Sequence, residues 1–69
     1  MNAQQWLAAY ADRLDLDPPT PDELDAILAL AGVAAHASER IAAPAACWLS
    51  ARAGRPLDDS LRIAREVST

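Results

Sequence analysis

The residues whose types and spacing could do chemistry fall in one short stretch: His36, Glu39 and Arg40, then Pro44 and Cys47. On a helix, positions three and four apart are neighbours, so His36 is expected to share a face with Glu39 and Arg40. Pro44 suits the first turn of a following helix, where its missing N–H goes unused anyway. If the chain reverses after Arg40, free N–H groups of Ala45, Ala46 and Cys47 would point into the same corner. A helix N-terminus beside an arginine can hold a carboxylate or a phosphate, so this corner would suit a small anion or a nucleotide. The competing expectation is structural: His36 and Arg40 satisfy the last carbonyls of their helix, and Glu39 pairs with an arginine elsewhere.

Other chemistries find too few groups. A metal site needs three or four ligands, and the chain has one His and one Cys, eleven positions apart, so no metal is expected. Cys47 as a nucleophile would need a base and an electropositive pocket; a small buried thiol on an Ala-rich helix is the expectation. The only glycines, Gly32 and Gly54, are too far apart for a phosphate loop. Carboxylates cluster from Asp12 to Asp25 and at Asp58 and Asp59, positions that connectors and helix N-termini explain. The chain is therefore read as a non-enzyme without a cofactor. A net charge of −4 argues against nucleic-acid binding, which draws on Lys and Arg displacing counterions. No apolar run approaches the ~18 residues of a membrane span, and no basic and apolar leader opens the chain. With a lone cysteine, the expected location is the cytoplasm.

The elements that must position these residues are all helical. The first helix is predicted over about 2–14, capped by Asn2, with Trp6, Leu7, Tyr10, Ala11 and Leu14 on one stripe. Asp15 to Pro19 stops it, because proline lacks an N–H and disfavours helix before it. Thr20-Pro21-Asp22-Glu23 is a strong start for the second helix, predicted over 21–41. Between Ala26 and Ala35 that helix has no polar side chain, so it is read as the central element. Gly32 within it costs about 1 kcal/mol relative to alanine, which is tolerable if a neighbour's backbone or ring packs there. A third helix is predicted over 44–53, with Ala45, Trp48 and Leu49 inward and Gly54 as its left-handed stop. A fourth is predicted over 58–68, capped by Asp58 or Asp59, with Leu57, Leu61 and Ala64 inward and Ile63 and Val67 beside them. No alternation of strand type appears. The reading is a single all-α domain over 1–69, a small four-helix bundle around its second helix.

The core of such a bundle must be thin. Of 36 hydrophobic residues 17 are Ala, against nine Leu, three Ile and two Val, and a chain this short gains only a few kcal/mol from its core. Self-association, as a homodimer, is one way to add to it. Trp6 and Trp48 are read either as core residues or as exposed anchors; Leu30, Val33 and Ile63 are expected to join them in contacting another protein.

The stretch Val33-Ala34-Ala35-His36, Glu39-Arg40 and Ala42-Ala43-Pro44, with Leu49 and Ala53-Gly54, resembles a family of small actinobacterial helical domains of unknown function. These occur alone or at the C-terminus of molybdenum cofactor guanylyltransferase-like proteins. Trp6, the element Leu14 to Leu16 and the apolar run after Glu23 are similar to the family's layout as well. The chain departs from it in carrying Trp48 where a smaller or different apolar residue is expected, and in standing without a transferase domain. The resemblance implies a pathway rather than an activity: an accessory or docking module in molybdenum cofactor (molybdopterin guanine dinucleotide) maturation. Its partner would be a guanylyltransferase, a cofactor carrier or a molybdoenzyme, and its signature residues are His36, Glu39, Arg40 and Pro44.

Overall fold

The computed structural model describes all 69 residues as four α-helices without strands: α1 (Ala3–Arg13), α2 (Pro21–Ala37), α3 (Ala42–Ala53) and α4 (Leu57–Val67). The first two begin with reciprocal caps. The Asn2 side chain accepts from the Gln5 N–H at 2.8 Å while the Gln5 side chain accepts from the Asn2 N–H at 2.9 Å. Thr20 and Glu23 do the same at 3.1 and 2.8 Å, with Pro21 opening the helix and Asp22 and Glu23 facing its positive end.

α1 ends in a Schellman turn. Asp15 takes the left-handed conformation at φ 59°, and the Leu16 and Asp15 N–H groups donate back to the Ala11 and Asp12 carbonyls at 2.9 and 3.1 Å. A short polar side chain tolerates this backbone better than most, so aspartate serves where glycine is usual. Gly54 holds the same conformation after α3, at φ 69°.

Three predicted boundaries move. α2 stops at Ala37 rather than near 41: the Ser38 N–H still makes the helical bond to the Ala34 carbonyl at 3.2 Å and its hydroxyl bonds the same carbonyl at 2.8 Å, but the Ser38 backbone leaves helical dihedrals, at φ −140° and ψ −97°. α3 begins at Ala42, which makes Pro44 its third residue rather than its first. α4 begins at Leu57 after Pro56, so Asp58 and Asp59 lie in its first turn, favouring the helix dipole, and do not cap it.

α2 is the central element, packing along α3 and along α4. Only Leu30, Ala11 and Ser60 are buried, and Leu30 at 3% exposure is the one large side chain among them. The helices meet through small groups. On α3 the half-buried positions are Ala42, Ala43, Ala46, Cys47 and Ser50, whereas Ala45, Trp48 and Leu49, predicted to face inward, are exposed. Alanine and serine make up most of the partly buried face of α3, which leaves Trp48 and Leu49 exposed. No neighbour packs closely on Gly32, since a methyl group built on it would meet nothing within 4 Å.

The result is an open structure. A chain of 7.3 kDa is expected to expose about 4,200 Å² when compactly folded, and this one exposes 5459 Å². Its radius of gyration is 12.5 Å where about 11 Å is usual for its length.

Candidate functional site

The corner predicted around His36 is split between elements. His36 lies in the last turn of α2, Glu39 and Arg40 in the turn that follows, and Pro44 inside α3; all four are exposed. Since the helix ends before Arg40, His36 and Arg40 do not share a helical face. The anion-binding end of α3 changes as well. The Ala42 and Ala43 N–H groups donate to the Glu39 and Arg40 carbonyls at 3.0 and 3.1 Å, and Pro44 has none to offer. Ala46 and Cys47 fall beyond the first four N–H groups of the helix, so two of the three expected donors lie outside the unsatisfied set. Glu39 and Arg40 form no ion pair; the three ion pairs all involve Arg55, Asp59, Arg62 and Glu66.

Those four residues lie along one side of α4 and its lead-in. Asp59 accepts from Arg62 at 2.6 Å and from Arg55 at 2.8 Å, and Arg62 reaches on to Glu66 at 2.8 Å. The Arg62 guanidinium, and after it that of Arg55, holds the Asp59 carboxyl below its ordinary value of 3.8, and Asp59 and Glu66 raise Arg62 in return. The charges are mutually satisfied, and all are on the surface.

Three apolar features stand out. On α1, the Trp6 and Tyr10 rings stack with centroids 5.0 Å apart and planes 29° from parallel; both are about half exposed, as is Leu14 one turn further on. The acidic residues Asp12, Asp15 and Asp17 follow directly. On α3, Trp48 is 59% exposed, with the Arg52 guanidinium carbon 4.8 Å from its ring centroid. Both pairs have the spacing that sets side chains one above the other on a helix, a signal present in the sequence.

The third feature is a groove of about 470 Å³ bounded by α2, α3 and α4. Leu30 forms its floor; Val33, Ile63 and Ala64 line it; Leu49 and Val67 stand at its edges, 62% and 82% exposed. None of its lining residues is charged or aromatic. The five side chains expected to contact another protein therefore part company: Trp6 and Trp48 are exposed, Val33 and Ile63 are largely buried in the groove, and Leu30 belongs to the core. Cys47 is half buried beside Ile27, Leu30 and Leu57.

Charge is unevenly placed. Asp12, Asp15, Asp17, Asp22, Glu23 and Asp25 against Arg13 alone leave residues 12–25 at −5, so the rest of the chain carries +1 of the total −4. No helix is long and apolar enough to cross a membrane.

The chain matches the family described as Domain of unknown function (DUF6457) over residues 1–68, and it belongs to that family. No curated protein and no solved structure matches it.

Proposed function

We propose that this member of the family is a non-enzymatic docking module whose α1 and α3 aromatic residues bind another protein. The supporting observation is that both tryptophans of the chain, each half exposed or more, stand on outer helix faces already paired, Trp6 with Tyr10 and Trp48 with Arg52. Trp, Tyr and Arg are the residue types that concentrate binding energy at protein interfaces, and stacked or covered rings lose less freedom on binding. The carboxylates beside the α1 stripe define the partner's chemistry: an apolar centre with a basic rim.

The assignment of that partner to molybdenum cofactor maturation rests on the resemblance of the His36 to Pro44 stretch. A guanylyltransferase or a molybdoenzyme of the source organism is the expected partner. The test is calorimetric titration of the purified enzyme with the domain. Binding is expected, with Trp6→Ala and Trp48→Ala each weakening it by at least about 30-fold, the size of an interface hot spot. Loss of binding in Arg40→Ala with both tryptophan variants unaffected would move the function to the His36 and Arg40 turn, as in an anion or nucleotide sensor. Absence of binding to any such enzyme would remove the pathway.

A further inference from the structure

Very little attaches α1 to the rest of the chain. Of residues 1–18 only Leu7 and Ala11 escape full exposure; every other side chain of α1, and the turn after it, is exposed. Close helix pairing is confined to α2 with α3 and α2 with α4, so α1 lies along none of the three. No hydrogen bond or ion pair crosses from residues 1–19 to residues 20–69. The bonds of α1, its cap and its terminal turn all close within residues 2–16, and the next begin at Thr20. Even the apolar junction is unfilled, since Leu7 and Ala8 share a cleft of about 290 Å³ with Pro18, Pro19 and Leu24. The largest side chains of α1, Trp6 and Tyr10, stack on each other. A helix of 11 residues is marginal in water by itself, so α1 depends on contacts of which it makes few.

From this disparity we infer that α1 is an arm that opens on its own: it leaves α2 and loses its helix while α2, α3 and α4 stay folded. The joint is Leu16 and Asp17, which lie between the last backbone bond of the α1 turn and the stiff pair Pro18-Pro19. The closed arm is the prevailing state, and the open one is the first departure from it, reached well before global unfolding. On the reading proposed above, the Trp6 and Tyr10 face travels with the arm, and a bound partner would hold it shut. The opening itself does not depend on that reading and is measured on the chain alone.

Native-state hydrogen exchange of the full chain, followed by NMR at increasing urea, reads the opening amide by amide. The amides from Leu7 to Leu14 are expected to open together, with protection at least about 10-fold below that of the amides around Leu30, and with little dependence on urea, because a local opening exposes little surface. Equal protection and an equal urea slope in α1 and α2 overturn the inference, since they mark one cooperative unfolding. Fluorescence gives a second readout. Trp48→Phe leaves Trp6 to report on α1, and Trp6→Phe leaves Trp48 to report on α3. The Trp6 signal is expected to change at lower urea than the Trp48 signal, and coincident midpoints refute a separate opening. Leu7→Asp, at the junction, strips protection from α1 while the amides around Leu30 keep theirs; an equal loss in both would make α1 part of the core.

Discussion

Gly32 offers a measurement in which the direction of the effect follows from empty space. It is the twelfth of 17 residues in α2, away from both ends, and a Cβ placed on it touches nothing. In a helix interior glycine is less favourable than alanine by about 0.8–1.0 kcal/mol, because the unfolded glycine has more conformations to lose. With no clash to set against this, Gly32→Ala is expected to stabilise the protein by nearly that amount. At about 2.1 cal/mol/K of unfolding entropy per residue, a 69-residue chain gains about 6 °C in its thermal midpoint. Far-ultraviolet circular dichroism during heating provides the readout. A lowered midpoint would refute the reasoning, since it requires a neighbour over Gly32 that a single chain does not supply.

Three further outcomes follow. Leu30→Ala empties the one large buried position and is expected to cost about 2–5 kcal/mol. Since a chain of this size holds only about 3–10 kcal/mol in total, the urea midpoint should collapse or the variant fail to fold, and a loss below about 1 kcal/mol would show the core to lie elsewhere. Thr20→Ala removes the hydroxyl that caps Glu23 and should lower stability by about 1 kcal/mol, with Thr20→Ser restoring most of it. Asp59 has a native pKa held below 3.8 by Arg62 and Arg55, so its contribution is full above that value and fades as pH falls through the lowered one. The urea midpoints of the wild type and Asp59→Asn should therefore converge as pH falls below 3.8 and through the lowered value, and a gap that does not change with pH would contradict the ion pairs.

The fold was legible where the chain marks its own boundaries. Thr20, Pro21 and Glu23 announce α2, Asn2 announces α1 and Gly54 ends α3, because caps and left-handed stops are local chemistry written in consecutive residues. The all-α class followed from the same punctuation and from helical spacing. What escaped was the end of α2, where the backbone leaves helical dihedrals at Ser38 despite the apparent continuity of His36 to Arg40. The orientation of α3 escaped too. Hydrophobicity points Trp48 and Leu49 inward, whereas close packing selects the face that is smallest, Ala42, Ala43, Ala46 and Ser50. Helical spacing puts Tyr10 on the Trp6 stripe, whereas the pairing of Trp48 with Arg52, also four residues away, emerges only in the structure.

The position of charge along α2 separates two kinds of attraction. Asp22, Glu23 and Asp25 occupy its first turns, while the groove draws on Val33, Ala34 and Ala37 near its other end. From Asp22 to Ala37 is about 22 Å of helix, more than twice the ~8 Å over which charges act in physiological salt. Ionic strength thus works as a selector between the surfaces. Raising it screens the field of the acidic end while leaving the uncharged groove unaffected, so one molecule would answer the same change of medium in two different ways.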